Sequence, residues 1–316
     1  MANALLGGVF GLLIGSFLNV VIYRLPVMMY RGWLRDCLAE LVDSEDTPSL
    51  WSQVFGASQR TPRPLATSAK DGVQAVEKLG RFNLVLPNSR CGHCGAAIRW
   101  YQNVPVLSYL ALRGKCASCG AHISLRYPTI ELLTGLLFAL CGWRFGLSVA
   151  GGFWAAFAAL LLCQFMIDLD TQYLPDSINY ILLWLGLIGS VLGATGTTPT
   201  QAVWGAVGGY ACLWLVFHGY RLLTGKEGLG YGDFKLLAAL GAWLGGDYLI
   251  AIVLVSSMVG AVLGITMLII GKLAHKDIPL PFGPFLAGAG LVCLVIGPQA
   301  VQDCFPFAFP FRALAP

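Results

Sequence analysis

Acidic side chains are costly at the depth of a bilayer's hydrocarbon and mark function by default. Five lie in or beside the apolar stretches of this chain: Glu131, Asp168, Asp170, Asp176 and Asp233. Asp168 ends the run Gly151 to Ile167, within Met166-Ile-Asp-Leu-Asp-Thr-Gln-Tyr-Leu-Pro-Asp176, and Asp233 closes Gly228-Leu-Gly-Tyr-Gly-Asp233. Two carboxylates that approach from different helices cannot both ionise cheaply, so they share a proton. One then acts as base on a water while the other protonates or polarises a carbonyl, which is hydrolysis without a covalent intermediate. Gly230 and Gly232 remove side chains just before Asp233, allowing an extended backbone or a partner helix to come close. As a bare motif, G-x-G-D is weak, and spacing alone does not separate Asp168 from Asp170. Asp170 and Asp176 fit a solvated turn, with Pro175 breaking the helix and Asp176 capping the next one. Glu131 fits a structural residue that could pair with Arg126.

A second chemistry is written in cysteine. Six of the 10 cysteines are scattered singly and fit small apolar residues. The other four form Cys91-Gly-His-Cys94 and Cys116-Ala-Ser-Cys119, two C-x-x-C pairs 21 residues apart, each followed by glycine. A tight turn with glycine after the second cysteine lets two thiolates face one ion, and two such turns complete a tetrahedral zinc site. Four thiolates leave no position for water, so the zinc is structural. A redox pair or two disulfides are the rival readings, disfavoured in a reducing compartment. His93 and His122, beside the knuckles, fit surface residues better than ligands.

The elements that must position these groups follow from composition. The chain has 316 residues with 57% hydrophobic and 11% charged residues and a mean hydropathy of +0.71, against about a quarter charged in soluble domains. That excludes an ordinary soluble enzyme, and a net charge of +4 over this length gives no footprint for nucleic acid. Residues 1 to 23 are free of charge before Arg24, with no basic region ahead of them, and read as an uncleaved first span. From Arg24 to Arg126 come 13 basic and 7 acidic residues, a hydrophilic domain. Breaks near Arg144, Asp168 to Asp176, Thr195 to Thr200, Arg221 to Asp233, Gly245 to Asp247 and Gly271 to Pro284 give eight spans in all. The sixth, about 234 to 245, is short for a crossing. With the N-terminus outside, 18 of the 20 Lys and Arg face the cytoplasm, leaving Arg144 and Arg312 outside. The expected fold is an all-α polytopic membrane protein of about eight transmembrane helices, with a cytoplasmic zinc-binding domain inserted after the first helix. Asp36 to Phe82 reads as a helix and loop with a solvated face.

Together these features resemble the type IV prepilin peptidases, membrane aspartic proteases that in many members also methylate the new N-terminus. The matching segments are Gly15-Ser-Phe-Leu-Asn-Val-Val-Ile-Tyr-Arg-Leu-Pro26, Leu86-Pro-Asn-Ser-Arg-Cys91 through both knuckles to Ile123-Ser-Leu-Arg-Tyr-Pro128, Ile167-Asp-Leu-Asp with Leu174-Pro-Asp176, the G-x-G-D, and Pro281-Phe-Gly-Pro284. The resemblance covers nearly the whole chain except about 36 to 82. It implies a catalytic pair at Asp168 and Asp233, and cleavage of prepilins and pseudopilins after a glycine at the end of a short basic leader. It also implies methyl transfer from S-adenosylmethionine, with Gly114 and Lys115 at a position linked to methylation. No glycine-rich nucleotide fingerprint follows a strand, so the methyl-donor site is not legible from motif physics. The implied organisation is a first transmembrane helix over 1–24, a cytoplasmic four-cysteine domain over 25–127, a helical protease core over 128–300 and a short tail over 301–316. The implied setting is the bacterial inner membrane, in contact with lipid and with pilus or type II secretion machinery. A proton or cation transporter would expect acids near the middle of spans, and a zinc-ribbon scaffold would lack catalysis altogether.

Overall fold

Within hydrocarbon a lone chain segment satisfies its own backbone only as a helix. The computed structural model describes residues 1–42, 49–56, 60–226, 228–270, 281–304 and 306. Parts of the 36–82 stretch, most of the break at 271–284 and Arg312 lie outside the described residues. Among the described residues there are twelve α-helices and no strand, only two isolated bridges. They are α1 (Ala2–Ala39), α2 (Leu50–Phe55), α3 (Arg63–Lys78), α4 (Leu107–Ala111), α5 (Arg126–Phe145), α6 (Val149–Thr171), α7 (Asp176–Val191), α8 (Pro199–Thr224), α9 (Tyr231–Leu244), α10 (Tyr248–Ile269), α11 (Gly283–Ile296) and α12 (Pro298–Cys304). Four of them, α1, α6, α8 and α10, are long and apolar enough to cross a membrane, and α7 and α11 are shorter apolar helices. With α5 and α9 these make up the eight apolar segments expected from the sequence.

One boundary differs. The first span stops being charge-free at Arg24, yet α1 continues through Pro26 to Ala39. A charge marks where hydrocarbon must end, not where a helix must, and proline bends or weakens a long helix without always ending it.

The chain divides into two compact units, Val20–Arg99 and Met1–Asn19 with Trp100–Pro316. In the first, buried Arg24 donates to the carbonyls of Asn83 at 2.9 Å and Pro87 at 2.6 Å. The Arg31 guanidinium lies 4.4 Å from the Phe82 ring centre. These contacts explain why two separate motifs, Tyr-Arg-Leu-Pro26 and Leu86-Pro-Asn-Ser89, sit in one unit. Helix α3 approaches α1 where Gly72 faces Leu38.

In the second unit, Gly7, Gly11 and Gly15 form a stripe on α1 at the four-residue spacing that lets membrane helices touch. A Cβ at Gly11 would lie 2.6 Å from Phe138 Cβ and 2.8 Å from the Thr134 carbonyl of α5. The centre of this unit is α9, whose residues from Leu236 to Leu244 are all buried. Helices α7, α8, α10 and α11 pack around it. At 14 residues it spans about 21 Å, less than a hydrocarbon core of about 30 Å, so protein surrounds it where lipid does not suffice. Backbones meet at Gly205 and Gly241, where neither helix has room for a side chain. Trp243 fills the middle, donating its indole N–H to the Leu182 carbonyl at 2.7 Å.

Candidate active site and metal centre

Asp168 lies in the last turn of α6 and Asp233 in the first turn of α9. Both carboxyl groups are buried, and they are near enough to feel each other's charge. Local sequence places each one. Gln172, in the left-handed conformation at φ 54°, closes α6 by donating its N–H to the Asp168 carbonyl at 2.8 Å. Gly230 starts α9 as its N-cap, and its N–H donates to Asp233 Oδ2 at 3.2 Å. A helix N-terminus stabilises a carboxylate so placed.

Gly283, the first residue of α11, packs directly against the Asp168 carboxylate. A Cβ there would lie 2.5 Å from Asp168 Oδ2 and 2.9 Å from Leu174 Cδ1. Leu174 also touches Gly232, where a Cβ would meet its Cβ at 2.9 Å. The Leu174 side chain is thus wedged between the glycine that serves Asp168 and the glycine that precedes Asp233. The sequence contained Pro281-Phe-Gly-Pro284 as a segment without a role; no spacing rule could have linked Gly283 to Asp168.

The neighbouring acids are not simply solvated. Asp170 takes a two-pronged hydrogen bond from Arg126, with Nη1 to Oδ1 at 2.8 Å, tying α6 to α5. Asp176 receives Lys235 Nζ on both oxygens at 2.7 Å, tying α7 to α9 two residues after Asp233. Spacing had suggested a solvated turn for both; helix ends that converge bring their partners from distant sequence. Each pair is partly exposed, and such pairs contribute roughly 0–1 kcal/mol, so they orient helices more than they stabilise them.

Arg126 is therefore engaged by Asp170 and not by Glu131. Glu131 is buried on α5, accepting the Val106 N–H at 2.8 Å. Val106 holds φ 60°, a left-handed value unfavourable for a β-branched residue. A carboxyl acceptor at its N–H offsets that strain, which makes Glu131 a bracket between α5 and the loop before α4.

The two knuckles are built alike. Cys91 N–H donates to the Ala96 carbonyl at 2.9 Å and Gly95 N–H to the Cys91 carbonyl at 2.9 Å. Cys116 N–H donates to Ala121 at 2.8 Å and Gly120 N–H to Cys116 at 2.9 Å. Gly95 and Gly120 adopt φ 70° and 72°, which only glycine takes without cost. Each knuckle presents two thiols on one tight turn, and the chemistry of the four cysteines, Cys91, Cys94, Cys116 and Cys119, is compatible with zinc. His93 and His122 are exposed.

Gly114 and Lys115 stand just before the second knuckle. Gly114 is buried at φ 66°, and a Cβ there would lie 2.7 Å from the Tyr109 hydroxyl. Tyr109 fills the space before Gly114, so this glycine forms no open cradle for a nucleotide-sized group. Lys115 is exposed and bridges backbone to backbone with His122.

An all-helical chain with long apolar helices, two buried aspartates on separate helices and two C-x-x-C knuckles has the build of a helical membrane protein. Residues 9–145 match the family described as Bacterial Peptidase A24 N-terminal domain, and residues 155–265 match the Type IV leader peptidase family. A prepilin leader peptidase/N-methyltransferase of Stutzerimonas stutzeri is 46% identical over 308 residues, covering 98% of this chain and 96% of the relative. The protein of the same name from Pseudomonas aeruginosa is 44% identical over 298 residues, covering 94% and 92%. One from Neisseria gonorrhoeae is 46% identical over 293 residues, covering 91% and 88%. No solved structure matches the chain. The chain belongs to the prepilin leader peptidase/N-methyltransferase family.

Proposed function

We propose that this protein is a membrane aspartic endopeptidase that removes the basic leader of type IV prepilins and pseudopilins after a glycine. Asp168 and Asp233 are its catalytic pair. The observation that carries the reading is the burial of both carboxyl groups at helix ends that close on one side chain, Leu174, which packs on Gly283 against Asp168 and on Gly232 before Asp233, alongside relatives whose names state the activity. One carboxylate removes a proton from water as it attacks the scissile carbonyl, while the other, protonated, donates to the carbonyl oxygen. Collapse of the tetrahedral intermediate returns a proton to the leaving amine, and the pair again holds one proton between its two members. The chain lies in the inner membrane with its N-terminus periplasmic, and the knuckles and aspartates at the cytoplasmic side, as the distribution of Lys and Arg supports. That is the side on which a prepilin's basic leader meets its hydrophobic helix.

The same protein N-methylates the new N-terminal residue with S-adenosylmethionine, the reading supported by the relatives' names. Of the two residues expected for this step, Lys115 is exposed, while Gly114 shapes the turn under Tyr109. Cys91, Cys94, Cys116 and Cys119 hold a structural zinc that folds the segment and takes no part in bond-making. The pilus or type II secretion machinery supplies the substrates.

The test is incubation of the purified full-length protein in detergent with a prepilin carrying an intact leader, beside Asp168→Asn and Asp233→Asn. The wild type cleaves and both variants, folded by circular dichroism, do not. Full cleavage by both variants removes the dyad. Labelled S-adenosylmethionine that leaves no label on the cleaved product reduces the protein to a peptidase.

A further inference from the structure

Behind the aspartate pair lies a polar group that hydrolysis itself does not require. Gln164, fully buried on α6 one turn before Asp168, donates its amide Nε2 to Asn179 Oδ1 of α7 at 2.7 Å and to the Pro175 carbonyl at 3.5 Å. Asn179, also buried, donates its own Nδ2 to the Gly232 carbonyl at 3.5 Å. The two amides thereby connect the helix of Asp168, the turn at Leu174 and Pro175, and the residue before Asp233. Gln164 Oε1 is a buried acceptor without a donor among the described residues.

That orphan decides between two meanings of the pair. A buried amide is favourable only when its donors and acceptors are paired, and an unpaired carbonyl forfeits the hydrogen bonds that water gave it. Phe157 and Leu161 are fully buried seven and three positions earlier, on the same face of α6 as the fully buried Gln164, so an apolar side chain at 164 would fit the core at no net loss of pairing. With Met at 164 the unpaired acceptor would become Asn179 Oδ1, leaving one orphan as before. The amide therefore gains the fold little.

What it does accomplish is geometric. Its contacts end on Pro175 and Gly232, either side of Leu174, the side chain wedged between Gly232 and Gly283. A shift of that wedge moves Gly283, which packs on Asp168, relative to the start of α9. Displacements of about 1 Å at a reacting centre cost up to about a hundredfold in rate.

We propose that Gln164 is a positioning residue for the hydrolytic step, acting through Asn179 and the Leu174–Pro175 turn to set the separation of Asp168 and Asp233. This rests on the peptidase reading above and extends it to a residue that touches neither substrate nor water.

The experiment compares full-length wild type, Gln164→Met, Asn179→Leu and the exchange Gln164→Asn with Asn179→Gln, which rebuilds an amide pair of the same overall length. Leader cleavage is followed for kcat and KM, with the melting temperature measured on the same samples. Gln164→Met is expected to keep the melting temperature and KM while kcat falls at least tenfold, with Asn179→Leu read in the same way and the exchange recovering part of kcat. Wild-type kcat in Gln164→Met overturns the proposal. So does a loss of kcat that comes with a fallen melting temperature and is not recovered by the exchange, because the pair would then be holding the fold alone. Absence of cleavage by the wild type would instead strike the peptidase reading.

Discussion

Gly283 lies against the Asp168 carboxylate across a gap that admits no side chain, since a Cβ at 283 would lie 2.5 Å from Asp168 Oδ2. Gly283→Ala must therefore move either α11 or the carboxylate. Leader cleavage is expected to fall by about a hundredfold with the protein still folded, measured as initial rates on an intact prepilin. An unchanged rate would show that the Gly283 contact has no part in orienting Asp168.

Asp170 differs from Asp168 in its partner, Arg126, and has no catalytic part in the proposed function. Asp170→Asn weakens the Arg126 fork, whose two side chains are 37% and 39% exposed. The expected loss is below about 1 kcal/mol, with cleavage retained within a few-fold. Abolition of cleavage in folded Asp170→Asn would move the catalytic assignment from Asp168 to its neighbour.

Metal content tests the knuckles. The full-length protein is expected to purify with about one equivalent of zinc, and Cys94→Ser or Cys116→Ser to lose most of it. Chelation should raise proteolytic sensitivity between the two C-x-x-C turns, because a structural zinc contributes folding energy outright. Stoichiometric zinc in both variants, measured by elemental mass spectrometry, would place the ion elsewhere.

The α1 stripe gives a contrast between two glycines of one helix. Gly11→Val forces atoms into Phe138 and the Thr134 carbonyl and should destabilise by about 1–3 kcal/mol. Gly32→Ala meets nothing within 4 Å and should be neutral or gain up to about 1 kcal/mol from helix propensity. Thermal melts in one detergent decide the matter: equal behaviour of the two variants would mean that α1 does not depend on close approach to α5.

Local grammar carried much of this protein in its sequence. The knuckles could be read because both cysteines of each turn, and the glycine that closes it, lie within five consecutive residues. Asp168 and Asp233 stood among five acids that hydrocarbon penalises, and the family resemblance, not spacing, separated Asp168 from Asp170. The ends of the apolar helices followed from clustered prolines, glycines and charges. What could not be read were relations between residues far apart. Arg126 reaches Asp170 over 44 positions and Lys235 reaches Asp176 over 59, so both acids looked merely solvated. Gln164 and Asn179 resemble incidental polar residues until α6 and α7 are packed together. The continuation of α1 beyond Arg24 escaped for another reason, since hydropathy reports the surroundings of a segment and not its backbone.

The burial of α9 has a consequence for how the protein comes into being. Its 14 residues are too few to cross a bilayer unaided, and its enclosure is incomplete until α11, later in the chain, closes against it. The same helix delivers Gly283 to Asp168. During synthesis, then, the surroundings of Asp168 are complete only when nearly all of the bundle has emerged from the ribosome.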